Sequence, residues 1–368
     1  MKEYYLKDLT NEVRVLGRHL PAEEGAVCFW SGSGLELNVK AADLYLNIEG
    51  DYETYEPWIT WSVNGERIGR MALQKGMNRV TLFRGMNPDV VKRVVVLKET
   101  QAMSGDRKHL MIIRSVETDG TFEKLPEHRY RLEIVGDSIT SAEGSIGAKE
   151  EMDWVSMVFS VKNGYAVKLG EKMDAEIRIV SQSGWGVTSS WDNHPECVIP
   201  AYYEQVCGLL DGERQIALGA KEPYDFNSWQ PDAVLINLGT NDRAAFDQPA
   251  YTDPVTGVTT KMRYAPDGSL DPECTGHLEQ AVREFLANVR RCNPKSFILW
   301  NCGAIGRDIC PYLERAVREY SELSGDKNVD FLLLEEITDE TTGARSHPSA
   351  LYHEITSEIL TKSLINIL

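Results

Sequence analysis

Long apolar runs are missing from this 368-residue chain. No stretch approaches the roughly 20 apolar residues that a membrane-spanning helix needs. The first residues, Met-Lys-Glu-Tyr-Tyr-Leu-Lys-Asp, hold no apolar core of the kind that marks a secretory leader. An excess of positive charge is missing too: 39 Lys and Arg against 56 Asp and Glu leave a net charge of −17. So acidic a chain is a poor partner for nucleic acid or for an anionic membrane surface, and neither is expected. Cysteine is sparse. The seven residues, at 28, 197, 207, 274, 292, 302 and 310, are scattered and form no C-x-x-C pair. An odd, dispersed set reads as reduced thiols, so a cytoplasmic location is expected. No group of His, Cys and carboxylates has zinc spacing, and neither a metal nor another cofactor is expected. Internal repeats and low-complexity tracts are absent as well.

What remains is an ordinary globular composition, 42% hydrophobic and 26% charged. The length exceeds what one core usually serves, so two domains are expected, with residues 1–125 as one unit and 126–368 as the other. Up to about Glu123 the chain reads as β. Short alternating runs recur at Ala26–Trp30, Leu35–Val39, Leu44–Glu49, Ile59–Val63, Asn78–Phe83, Arg93–Leu97 and Leu110–Ser115. Asn64-Gly65 is a hairpin turn signal, and the regular spacing predicts a β-sandwich of jelly-roll type. Thr121–His128 reads as a linker.

From Tyr130 apolar strands alternate with helical stretches. Strands are predicted at Arg131–Val135, Ile177–Ser181, Ala233–Leu238, Phe297–Trp300 and Val329–Leu334. Helices are predicted near Trp154–Asn163 (with Asp153 as N-cap), Tyr202–Leu210, Gly276–Cys292, Tyr312–Ser324 and Leu351–Leu368. The alternation predicts an α/β/α domain of flavodoxin-like type around a five-stranded parallel sheet. Ligands of such sheets sit at the carboxyl ends of the strands.

Three segments could carry chemistry. Val135-Gly-Asp-Ser-Ile-Thr140 runs from a strand into a glycine and a serine, Ser138, which is a nucleophile once a base takes its proton. His347, in Ser346-His-Pro-Ser349, is the candidate base, because imidazole titrates near neutral pH. His353 lies six residues on, inside a predicted helix, where a packing or capping role is expected. Asn241, in Asn237-Leu-Gly-Thr-Asn-Asp242, could donate its amide to an oxyanion; the N–H groups of Gly186 and Ser138 could join it. The long stretch from Asp242 to Gly276 should overhang the site. Tyr251, Met262 and Tyr264 in it could meet a ligand. Trp185 and Trp191 flank the Gly186 segment, and Trp185 is expected to be a substrate wall.

Gly136-Asp-Ser138, Gly186, Gly239-Thr-Asn241 and His347-Pro resemble the four blocks of the SGNH (GDSL-type) hydrolase superfamily, over about Tyr130 to Leu368. With a β-sandwich ahead of it, the arrangement is similar to carbohydrate esterase family 2, the acetyl-xylan esterase type. Gly343-Ala-Arg-Ser-His-Pro-Ser also looks like that family's end block. The resemblance implies Ser138 as nucleophile, His347 as base, and Ser138, Gly186 and Asn241 as oxyanion donors. It further implies removal of O-acetyl groups from acetylated oligosaccharides derived from xylan or mannan. There is one departure. The superfamily usually has an aspartate three residues before the histidine, where this chain has Ala344. A Ser–His dyad is expected, with a main-chain carbonyl orienting His347 in place of an acid. Asp339 and Glu340 lie near but off the spacing. Two other readings share the motifs: a lipase, lysophospholipase or thioesterase acting on other acyl esters, and a carbohydrate-binding protein without catalysis.

Overall fold

The computed structural model describes residues 1–9, 12–20, 23 and 25–368. The first part supplies eleven strands among the described residues: β1 (Lys2–Tyr5), β2 (Val13–Leu16), β3 (Ala26–Val27), β4 (Gly34–Lys40), β5 (Leu44–Asp51), β6 (Trp58–Val63), β7 (Glu66–Ala72), β8 (Gly76–Phe83), β9 (Val91–Lys98), β10 (Leu110–Thr118) and β11 (Thr121–Glu123). They pair antiparallel into two sheets. One runs β1-β10-β5-β8, with β3 on β10; the other runs β11-β4-β9-β6-β7, with β2 on β4. Period-2 alternation explains the sandwich: Leu35, Leu37 and Val39 of one sheet and Leu44, Leu46 and Ile48 of the other point into one core. Asn64 and Gly65 both have positive φ, 54° and 88°, and join β6 to β7 with Val63 opposite Glu66. That is what a tight two-residue hairpin turn requires.

Two expectations for this half need correcting. Thr121–Glu123 is not linker but an edge strand on β4. The run Ala26–Trp30 stays in the sheet only to Val27. Phe29 and Trp30 leave it and plug into the core of the second half, where the Trp30 indole N–H donates to the Val206 carbonyl at 2.7 Å.

The second half holds β12 (Tyr130–Gly136), β13 (Ala175–Ser181), β14 (Ala233–Asn237), β15 (Tyr251–Thr252), β16 (Thr259–Thr260), β17 (Phe297–Cys302) and β18 (Val329–Leu333). Its helices are α1 (Tyr165–Met173), α2 (Glu213–Ala217), α3 (Thr240–Ala245), α4 (Pro272–Cys292), α5 (Cys310–Ser324) and α6 (Ala350–Leu364). The parallel sheet runs β13-β12-β14-β17-β18. α4 and α5 cover one face; α1 and α6 cover the other. From β12 the chain winds first to one side and then to the other. The carboxyl end of β12, just before Ser138, is therefore the switch point where this fold opens a crevice.

Two predicted helices are absent. Around Trp154–Asn163 there are only short 3₁₀ turns, and the first helix begins after Gly164. The apolar residues there find partners outside: Trp154 packs edge-on against Tyr55 of the sandwich, at 4.6 Å between ring centres. Tyr202–Leu210 is irregular because its backbone is claimed by tertiary partners. Tyr203 and Gln205 offer their carbonyls to Arg18, and Val206 and Cys207 donate to Glu222 and Ala220. A helix would need those same groups internally.

A charged clamp closes the seam between the halves. His128 points its Nε2 at Glu36 of β4, at 3.1 Å, and its Nδ1 at Asp174 at the end of α1, at 3.0 Å. Both contacts are satisfied together only by the imidazolium. The hydrogen bond to Glu36 raises the His128 pKa above its usual 6.5 against the opposing effect of burial. Glu36 is pushed down to about 2, since His128, Arg93 and Arg14 outweigh its burial. The His128 contribution to stability is therefore complete below pH 6.5 and is lost as pH rises through the raised folded value. Wild-type Tm should fall by roughly 1–2 °C between pH 6.5 and 8.5 on this account. His128→Gln should be less stable at pH 6 and flatter over that range. Parallel curves from thermal melts would refute the clamp.

Candidate active site

Three loops meet beyond the carboxyl ends of β12, β13 and β14. Ser138 follows β12 directly. Its hydroxyl lies 2.9 Å from His347 Nε2. The other ring nitrogen, Nδ1, lies 2.8 Å from the Arg345 carbonyl oxygen. A carbonyl can only accept, so Nδ1 carries the proton and donates. Nε2 is thereby left as the acceptor for the serine proton, the tautomer a base requires.

The local chain explains this aim. Arg345 and Ser346 both sit in the left-handed region, at φ 56°. Each such residue costs about 1–3 kcal/mol and persists only where its surroundings force it. They do here: Arg345 donates through its backbone to Glu151 and through its side chain to Glu143 and Met152. The turn folds the Arg345 carbonyl back under the imidazole. Gly144, at φ 72°, allows the serine loop to approach: a Cβ there would lie 2.2 Å from the Ala344 oxygen and 2.7 Å from His347 Cβ.

No acid takes the usual third place. Ala344 is fully buried in a small apolar cluster with Met103, Val158 and Phe159. Asp339 is exposed and pairs with Lys149, and Glu340 is exposed. The carbonyl arrangement expected from the sequence is the one present. His353 is buried within α6. Its Nδ1 accepts the Tyr165 N–H that opens α1, and burial lowers its pKa to about 3, so it stays neutral and structural.

Asn241 opens α3 and turns its amide toward the same place. Its Nδ2 donates to the Trp185 carbonyl at 3.0 Å and to Asp137 Oδ2 at 3.2 Å. An arriving oxyanion would compete for the longer of the two. The Ser138 N–H has no acceptor among the described residues. Gly186 follows the carbonyl that Asn241 holds. A Cβ at 186 would fall 2.3 Å from the Ser189 oxygen and 2.4 Å from Asp242 Oδ2, so only glycine fits. Asp242 fixes that loop by accepting from the Val187 and Thr188 backbones at 2.8 and 2.7 Å. Asp137 and Asp242 were not singled out from sequence, although each adjoins a residue that was. Burial pushes Asp137 up to about 7.

One expectation moves. Trp185 is 8% exposed, packs against Tyr202 and belongs to the core, so it offers little face to a ligand. The open tryptophan is Trp191, 48% exposed, whose backbone N–H donates to the Gly184 carbonyl at 2.9 Å. The stretch after Asp242 is not a bare loop: it holds α3 and the β15–β16 hairpin before α4 begins. Met262 is buried, Tyr251 lies against His194, and Tyr264 is exposed with its hydroxyl on Asp247. Among the described residues no group of three or more His, Cys, Asp or Glu could hold a metal, and no helix is long and apolar enough to cross a membrane.

Fold and dyad together define a hydrolase of the SGNH type. No protein-family model matches the sequence. An acetyl xylan esterase (Est2A) from the rumen bacterium Butyrivibrio proteoclasticus is 36% identical, with 100% of this chain and 99% of that one covered and a TM-score of 0.97. A family two carbohydrate esterase from Clostridium thermocellum, in complex with cellohexaose, shares the fold at 23% identity, with 96% and 98% covered and a TM-score of 0.79. Among curated proteins, the cellulase/esterase CelE of Acetivibrio thermocellus is 26% identical over 350 residues, 93% of this chain. An acetylxylan esterase / glucomannan deacetylase of Cellvibrio japonicus is 21% identical over 260 residues, 68% of this chain. The chain spans 38% of the first of these relatives and 66% of the second. It belongs to carbohydrate esterase family 2.

Proposed function

We propose that the protein is a serine esterase that removes O-acetyl groups from acetylated oligosaccharides of xylan or mannan type. The observation that carries the chemistry is the chain of contacts from Ser138 Oγ to His347 Nε2 and from Nδ1 to the Arg345 carbonyl. The names of the relatives, acetyl xylan esterase and glucomannan deacetylase, support the substrate class.

In this reading Ser138 Oγ attacks the acetyl carbonyl carbon while its proton passes to His347 Nε2. The carbonyl oxygen becomes an oxyanion facing the Ser138 and Gly186 N–H groups and the Asn241 amide, each donor supplying roughly 3 kcal/mol. Collapse breaks the ester C–O bond, and the Nε2 proton goes to the departing sugar oxygen. Water then attacks the acetyl-serine with His347 again as base, releasing acetate and restoring the serine.

Acetate release from acetylated xylo- and manno-oligosaccharides tests the reading and orders the two glycans. Release from neither, with cleavage of longer acyl esters, would overturn the carbohydrate assignment. Trp191 supports a sugar platform, since its open face stands beside the loop that Asn241 holds. Trp191→Ala should raise KM for the oligosaccharides by about tenfold, a loss in the range of one stacking contact. KM for p-nitrophenyl acetate, which has no sugar, should stay within twofold. Equal effects on both would remove Trp191 from the sugar site. We further propose a cytoplasmic location: all seven cysteines are free and six of them are buried. Recovery of the protein from the culture medium or cell envelope on fractionation would refute it.

A further inference from the structure

The acid missing at position 344 leaves a question about charge. A carbonyl orients His347 but gives the imidazolium no counter-charge. The loop that presents Ser138 supplies one. Glu143 lies five residues after the serine, and its N–H donates to the Ser138 carbonyl at 3.0 Å, which ties it to the nucleophile's own turn. Its side chain is buried, with the residue 1% exposed. Glu143 Oε1 accepts from Arg345 Nε at 2.7 Å and stands 3.9 Å from His347 Nε2.

Resting on the esterase reading above, we propose that Glu143 is a positioning residue for His347, holding from the serine's side the charge balance that an aspartate usually holds from the histidine's side. The geometry is specific. At 3.9 Å the carboxylate is too far to take the Nε2 proton, which must pass between Ser138, the imidazole and the leaving oxygen. It is close enough for its charge to act on the imidazole, whose side chain is only 18% exposed. The same carboxylate anchors Arg345, whose carbonyl holds Nδ1. One buried group thus serves both ring nitrogens, one through space and one through the Arg345 turn.

The charge is present when it is needed. Burial pushes the Glu143 carboxyl upward, but the neighbouring His347, then Ser183 and Arg345, outweigh that and hold it below the ordinary carboxylate range. The other titratable groups that face the pair carry less charge near neutrality. Asp137, behind the serine, is pushed up to about 7 by burial. His353, on α6, is pushed down to about 3 by burial and stays neutral. Glu143, 3.9 Å from His347 Nε2, and Arg345, which it holds, are the charged side chains tied most directly to the imidazole and its turn.

The test is an imidazole titration of His347 by ¹⁵N NMR on the full chain, beside pH–rate profiles with p-nitrophenyl acetate. Glu143→Gln removes the carboxylate and leaves the Arg345 guanidinium unbalanced. The His347 midpoint should move to lower pH by about one unit, and kcat should fall about tenfold with KM within twofold. Glu143→Asp should recover part of both. Arg345→Met removes the opposing cation and should move the midpoint to higher pH. A midpoint unmoved in Glu143→Gln would overturn the proposal even if kcat fell, because a brace alone would do that. A shift in the same direction in Glu143→Gln and Arg345→Met would overturn it too. Where Glu143→Gln does not fold, the direction of the Arg345→Met shift decides. A wild type inactive on acetyl esters would sink the esterase reading, while the imidazole titration would still decide the role of Glu143.

Discussion

Ser138→Ala is expected to lower kcat for acetyl ester hydrolysis by roughly 10⁴-fold or more, with the fold and KM nearly unchanged. In the proposed reaction the hydroxyl oxygen bonds to the acyl carbon, and its hydrogen-bond partner among the described residues is His347 Nε2 at 2.9 Å. His347→Ala should cost about as much. The double variant should be no worse than the poorer single one, because a nucleophile and its base act as a unit. Steady-state kinetics on the three variants check this. Losses that multiply in the double variant would show two independent contributions and would break the dyad assignment. Activity surviving in Ser138→Ala at the wild-type level would remove the serine altogether.

Arg18→Met is expected to have the largest effect on stability. Arg18 is fully buried between the halves. Its Nε and Nη2 donate to Glu133 of β12 at 3.0 and 2.8 Å, and its Nη1 donates to the Tyr203 and Gln205 carbonyls. The guanidinium also faces the rings of Tyr203, Tyr224 and Phe226, at 4.7, 4.4 and 5.0 Å. Removing it strands the Glu133 carboxylate in the middle of a buried strand and orphans two carbonyls. Loss of one partner of such a pair costs about 3–5 kcal/mol. Denaturant unfolding should show that loss. Arg18→Met with Glu133→Leu should recover a good part of it, since the stranded charge goes too. A single-variant loss below about 1 kcal/mol would mean that water reaches the pair.

Much of this could be read from the sequence because the relevant physics is local. Strand periodicity located β4, β5, β6, β9 and every strand of the parallel sheet to within a few residues. Asn64-Gly65 announced its turn. Ser138, His347 and Asn241 stand at strand and helix ends, where punctuation by glycine and proline makes them conspicuous. What escaped depends on partners far along the chain. Trp154–Asn163 and Tyr202–Leu210 have helical spacing, but Tyr55, Trp30 and Arg18 from the sandwich claim their side chains or backbones. β1, β2, β7 and β11 pair at sheet edges or ends and lack a strong apolar alternation. Trp185 and Trp191 look alike as letters, and only the packing against Tyr202 tells which is buried. Glu143 carries no motif, and its nearness to His347 across 204 positions is visible only in the fold.

The bond from His347 to a peptide carbonyl differs in kind from one to an aspartate. A side-chain acid can be lost to a single codon change, and it can be protonated away in acid. A main-chain oxygen is encoded by no residue in particular and does not titrate in water. The imidazole here is therefore held by something that point mutation cannot delete and low pH cannot discharge. Its weak point is conformational instead: whatever relaxes the paired left-handed turn at Arg345 and Ser346 swings the carbonyl away and lets the ring turn over.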